Sequence, residues 1–391
     1  MRRRIAAIAA LAGVAALGLT PIGCYLSRAA WEEGKILAGR RPISKLVRDR
    51  SIDQAVRNKL QLVLDARAYA KDSIRLRTGD SFTTYSRLES DTLVLVLSAA
   101  YRDRLEAYTW WFPIVGRVPY KGFFDFDAAR RAAKSFLDDG YDVALRPSGA
   151  FSTLGFFNDP LLSTTLSRDS LELVNTVIHE VTHNTFYAPG QAVFNESFAS
   201  FVGARGAAAF FRSRGNAAAA GRVDSEWADE KRLGDFWTGL AKSLDSAYAM
   251  HPDDRAARIR VRDTVYLAAR RRLVTVVGPQ LTTIPRSYAA NVPLDNASLL
   301  ARRVYARDLD LFDSVYDREG RNLRRAIGRV ISLAKANKDD PYAALARWVA
   351  TQDSTAKLLG GNRLQGSGPC NSFGSATLID GRSAVRESDI P

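Results

Sequence analysis

A chain of 391 residues, 46% hydrophobic and 10% aromatic, carries enough apolar material for one large core or two smaller ones without disulfide or metal staples, which excludes the disordered classes. Its two cysteines, Cys24 and Cys370, are too few for a disulfide framework. A net charge of +14 would suit nucleic acid in the cytosol. The N-terminus excludes that partner: "MRRRIAAIAALAGVAALGLTPIGC" sets three arginines before an apolar run from Ile5 to Leu19 and then small residues, the layout of an export signal.

Residues 1–23 therefore read as a signal peptide. "PIGC" resembles a bacterial lipobox, with Pro21 where leucine is usual, and makes Cys24 the residue that is acylated and becomes the mature N-terminus. The alternative is an uncleaved anchor from Ile5 to Leu26, with Arg2, Arg3 and Arg4 left inside. Either way the body faces outward. For an exported chain, the basic charge of stretches such as "DRAARIRVRDTVYLAARRRL" reads as solvated helix faces or as a surface for anionic lipid headgroups or cell-wall polymers.

Residues 24–90 read as a helical lead-in, its second helix opened by Ser51 as cap. From Thr92, "TLVLVLSAAYRDRLEAYTWWFPIVGRVPYKGFF" is rich in β-branched and aromatic residues punctuated by Pro113, Gly116 and Pro119, and predicts two or three strands. A helix follows, stopped by Gly140, then the strand "YDVALRPS" and a loop. From Ser170 onward the spacing predicts helices over 170–186, 196–212, 225–250, 252–276, 296–318 and 323–334. The segment 351–391 reads as a Gly/Ser-rich tail. The expected fold is α+β, a small mixed sheet followed by a mainly helical half, with one domain over residues 91–350.

The chemistry concentrates in "VNTVIHEVTHNTFYAPGQAVFNESFASFVGARG", Val174 to Gly206. Positions i and i+4 share a helix face, so His179 and His183 can share one tetrahedral metal ion. Glu180, about 100° round the helix from His179, stands where a general base would. Val174, Val177, Ile178 and Val181 bury the same helix, and two buried imidazoles without a ligand would be costly. Glu196, at the expected first turn of the next helix, supplies a third ligand, and the small residues Ala199, Ser200 and Gly203 let that helix approach closely. Three protein ligands leave a position open, as in a catalytic site. His251 reads as a surface residue.

At these residues the chain resembles the zincin metallopeptidases of the gluzincin kind, in which an HExxH helix is followed by a helix carrying a glutamate ligand. "FNESFA", with "GRVPYKGFFD" and "FSTLGFFNDPLLST" before it and "LDNASLLARRVY" after, is similar to a bacterial family of predicted aminopeptidases, commonly envelope lipoproteins; the likeness runs from Gly23 to about Ala334. It implies a zincin-like domain with Zn²⁺ on His179, His183 and Glu196, Glu180 as base, a peptide substrate, and a lipid-anchored place in the cell envelope facing the periplasm or the outside. The gap from His183 to Glu196 is shorter than in thermolysin-like enzymes, so their further site residues do not transfer by spacing. For the oxyanion, Tyr305 in the family-like segment is the first choice, with Tyr120 and Tyr266 as rivals. Asp159, before Pro160, is the choice to receive a substrate ammonium group, and "FSTLGFFNDP" to serve as the edge strand that pairs with an extended peptide. An endopeptidase, or a noncatalytic lipoprotein whose metal is closed by a fourth ligand such as His251, are the competing readings.

Overall fold

The computed structural model describes residues 21–364 apart from 89, 91, 113–115, 149–159 and 305–306. The chain divides into a large unit, Met1–Val349, and a small one, Ala350–Pro391. Asp159, Tyr305, Cys370, the apolar run Ile5–Leu19 and the segment expected to form an edge strand lie outside the described residues. Among the described residues no helix is long and apolar enough to cross a membrane.

The lead-in holds α1 (Pro21–Ala38), a two-residue β1 (Arg41–Pro42), the single turn α2 (Ile43–Leu46) and α3 (Gln54–Asp72). The cap of α3 is Asp53, whose carboxylate accepts from the N–H groups of Ala55 and Val56; Ser51 instead bonds Asp49. A carboxylate two residues nearer the helix satisfies two orphan donors and complements the dipole, which a hydroxyl at 51 cannot reach.

The strands form three small sheets where one was expected. β1, β2 (Thr84–Ser86) and β8 (Leu161–Leu162) pair in that order, antiparallel then parallel. The central β3 (Val94–Tyr101) lies between β6 (Lys121–Phe123) and β7 (Tyr141–Ser148), antiparallel to both, and β4 (Trp110–Phe112) with β5 (Gly116–Val118) makes a hairpin. α4 (Phe126–Asp138), capped by Asp125, packs on β3 and β7, and Tyr108, Trp110, Phe136 and Tyr141 meet edge to face beside it.

Helices make up the rest: α5 (Ser163–Leu166), α6 (Ser170–Thr185), α7 (Ala192–Ser213), α8 (Ala217–Ala249), α9 (Arg255–Arg272) ending in a π-turn over Leu273–Val277, α10 (Arg286–Asn291), α11 (Asn296–Arg303), α12 (Leu309–Arg318), α13 (Leu323–Ala336) and α14 (Pro341–Leu364). The segment expected as a tail from residue 351 is thus helical as far as Leu364. The single helix expected over 296–318 is two helices: Asp308 takes a left-handed φ of 49°, and the bend carries the Arg307 N–H to the Ser197 hydroxyl of α7.

Among the described residues two large hydrophobic cores form, beside a small cluster of Ala100, Ala144 and Ala297. The first joins α3, α6, α7, the start of α8, α12 and α13, through residues such as Leu60, Val63, Val177, Phe198, Phe201, Trp227 and Phe312. α7 is its centre, and from Phe194 to Phe211 its glycines, its phenylalanines and all its alanines but Ala209 are buried on every side, as a helix apolar all round must be. The second core joins the rest of α8 to α9, α10 and α11 through Phe236, Trp237, Leu244, Tyr266 and Leu299. Buried Arg262 of α9 pairs with Asp142 of β7, and Arg270 donates to the Ala289 and Val292 carbonyls, whereas Arg255, Arg260, Arg271 and Arg272 are exposed on a solvated face.

Candidate metal centre

The histidine helix α6 begins at Asp169, whose carboxylate accepts from the Leu171 and Glu172 N–H groups, and it buries Leu173, Val174, Val177, Ile178 and Val181 completely. The segment leading into it is steadied by Lys59 of α3, which donates to the carbonyls of Leu166, Ser167 and Arg168 at the end of α5 and just beyond it. The turn between α6 and α7 is fixed by Asn195, whose side-chain amide both accepts from the Ala188 N–H and donates to the Ala188 carbonyl, each at 2.8 Å. Glu196 follows directly. It lies in the second turn of α7, not the first, because the helix starts at Ala192; a dipole-stabilised first-turn carboxylate is therefore not its explanation.

Gly203 brings the two helices together. A Cβ there would overlap the Asn175 side-chain oxygen and lie 3.0 Å from the Asn175 carbonyl and 3.2 Å from the His179 Cβ. At this separation the side chains of His179, His183 and Glu196 converge. His179 Nε2 is 3.3 Å from His183 Nε2 and 3.4 Å from Glu196 Oε2, and His183 Nε2 is 3.6 Å from Glu196 Oε1. Among the described residues this is the group of His, Cys, Asp or Glu that could hold a metal, with all ligand atoms within 4.8 Å. A tetrahedral ion with bonds of about 2.0–2.1 Å holds neighbouring donors roughly 3.3–3.4 Å apart, so the cluster fits one. The donor set fits as well: lone pairs from two imidazoles and a carboxylate aimed at one centre repel unless a cation or protons lie among them.

Burial and mutual charge set the protonation of the three side chains. Burial pushes the His183 imidazolium down to about 4, with the nearby His179 charge adding to it, so this ring is neutral at pH 7. Burial also opposes protonation of His179, but the hydrogen bond to Glu196 and the charges of Glu180, Glu196 and Glu230 outweigh it. Glu196 is held below the ordinary carboxylate range by the same histidines, against burial. His183 Nδ1 is buried with no partner among the described residues.

A cavity of about 250 Å³ opens beside the cluster, lined by Glu172, Thr176, His179 and Glu180 of α6, Ser200 of α7 and Glu230 of α8. Glu180 is exposed there, where sequence spacing placed it. Glu230 was not foreseen; burial pushes its carboxyl up to about 7, against the pull of His179. A second cavity of about 290 Å³, between β7 and the start of α11, is lined by no acid, histidine or cysteine.

The tyrosine candidates separate clearly. Tyr266 belongs to the second core, where its hydroxyl donates to Asn296 at 2.6 Å, and so takes no part in this site. Tyr120, in the turn between β5 and β6, is near enough for burial and the charges of Tyr187 and Glu196 to raise its phenol. Tyr187, missed in the sequence, puts its ring 6.4 Å from that of His183. His251 follows α8, its carbonyl bonded by Arg258, and is not in the cluster; no fourth ligand among the described residues closes the centre.

A two-histidine, one-carboxylate centre open on one side is the arrangement of hydrolytic metal sites. A family model described as "Putative aminopeptidase" matches residues 24–345, most of the chain, and the protein belongs to that family. No curated protein and no solved structure matches it.

Proposed function

We propose that this protein is a zinc-dependent aminopeptidase of zincin type, held in the bacterial cell envelope by lipid on Cys24 and acting on peptides outside the cytoplasm. The observation that carries the reading is the set of three donor separations, 3.3, 3.4 and 3.6 Å, next to a cavity that also contains Glu180. His179, His183 and Glu196 would hold Zn²⁺, which supplies Lewis acidity and an acidified water at the scissile carbonyl. Glu180 accepts the proton of the attacking water and returns it to the leaving amine. A cation held on its neighbour His179 would put positive charge close by and so favour the ionised carboxylate that a base requires. Among the described residues, Tyr120 and Tyr187 are phenols close to Glu196 and His183 and can donate to the developing oxyanion.

The test is digestion of a broad peptide library by purified, signal-free protein, with a chelator and after zinc is restored. Loss of one N-terminal residue at a time, abolished by chelator and recovered with zinc, supports the proposal. No cleavage under any metal condition overturns it, and internal cuts alone would replace aminopeptidase by endopeptidase.

A further inference from the structure

We infer that Glu230 is the residue that receives the α-ammonium group of the substrate and so restricts the site to free N-termini; the inference rests on the peptidase reading above. An aminopeptidase has to recognise a cation, and a desolvated cation needs a carboxylate to offset its lost hydration. The cavity beside the metal cluster contains three acidic side chains besides the ligand Glu196, and they are not equivalent. Glu172 is paired with Arg168, which lies just before the start of α6 and lines the same cavity. Glu180 lies next in sequence to a ligand and is the base. Glu230 comes from a different helix, lines the cavity, and among the described residues forms no hydrogen bond or ion pair.

A carboxylate turned into a cavity without a partner costs free energy that a bound cation recovers. That cation is not a metal ion shared with the centre, since Glu230 is absent from the group whose ligand atoms converge. It is nevertheless close enough for its charge to act on His179. An ammonium on Glu230 is two bonds from the first carbonyl of a peptide, so the first peptide bond is the one delivered to the metal cluster. The cavity, at about 250 Å³, is below the roughly 300–1,000 Å³ of pockets for larger ligands and is sized for the end of a chain. Asp159, the residue chosen from sequence for this role, lies outside the described residues.

The experiment uses zinc-loaded protein in which Glu180→Gln blocks turnover, and measures calorimetric binding of trialanine and of N-acetyl-trialanine. The expected result is that Glu180→Gln binds the free peptide about 10- to 100-fold more tightly than the acetylated one, as loss of a desolvated charge pair would give. In Glu180→Gln/Glu230→Gln the two peptides should bind alike, at the affinity of the acetylated form. Glu230→Gln must also retain the wild-type zinc content. Equal weakening of both peptides, no discrimination in the Glu180→Gln protein, or loss of zinc would each overturn the assignment. Because binding is read without turnover, discrimination that depends on Glu230 in a protein that cleaves nothing would remove the peptidase reading alone. Cleavage that ignores acetylation would remove the amine site alone.

Discussion

Replacing Gly203 by alanine tests the close approach on which the metal cluster depends. In an open helical position this substitution stabilises, by about 1 kcal/mol of helix propensity. At Gly203 the added Cβ lies 3.0 Å from the Asn175 carbonyl oxygen, whereas ordinary contact starts at 3.4 Å, so α6 and α7 must part by about 0.4 Å. That oxygen is backbone within α6 and cannot turn aside, although the Asn175 side chain can. Overpacking of this kind costs about 1–3 kcal/mol, which cancels or exceeds the propensity gain. The same separation draws His179 from Glu196, so zinc affinity should fall at least about 10-fold, or 1.4 kcal/mol. Gly221 on α8 is the control, because a Cβ there meets nothing within 4 Å. Gly221→Ala should raise the melting temperature of the metal-free protein and leave zinc affinity unchanged; Gly203→Ala should do neither. Thermal unfolding and a competitive zinc titration measure both. Gly203→Ala that stabilises as much as Gly221→Ala, with unaltered zinc affinity, would refute the close-approach argument.

His183→Ala should abolish tight zinc binding by elemental analysis, and wild-type affinity should weaken as pH falls through the titration of His179, which its acidic neighbours set above the ordinary imidazole value of about 6.5, because both imidazoles must be neutral to bind. Asp313→Ala should destabilise by about 2–3 kcal/mol in denaturant titrations, since it removes the buried carboxylate shared by Arg205, Lys231 and the Trp227 N–H, although Arg205 keeps Asp224 and Lys231 keeps Asp310. Burial opposes ionisation of Asp313, yet those donors outweigh it and hold its pKa low. The unfolded chain therefore takes up this proton first on acidification, so the group's contribution is complete above pH 4 and is lost below it; Asp313→Asn should flatten that part of the stability curve. Cys24→Ser should remove labelled fatty acid from protein expressed in a bacterial host, and label retained on the variant would refute acylation there.

What could be read in the sequence was local. His179, Glu180 and His183 share one helix and Glu196 lies one tight turn beyond, so four residues of spacing and a stripe of small side chains were enough to bring them together. The shortest strands were harder to see, since Thr84–Ser86 and Leu161–Leu162, of three and two residues, are too short to show alternation and pair only because the helices around them fix their places. The break at Asp308 is likewise tertiary, drawn by Ser197 and Tyr342 to the chain at Arg307. Glu230 sits in a long helix of mixed polarity, and no motif marks which of that helix's acids turns toward α6. Ser51 and Asp53 were both plausible caps, and geometry two residues long decided between them.

α8 runs 33 residues, roughly 50 Å, without a break. Val223 and Trp227 pack in the first core and Leu233 through Tyr248 in the second, with Glu230 between the two groups. Neither core can open widely without fraying this shared rod, so the two are coupled in their fluctuations. Zinc taken up at His179 and His183 should then slow amide hydrogen exchange not only around α6 but also along the far half of α8, well beyond any atom that touches the ion.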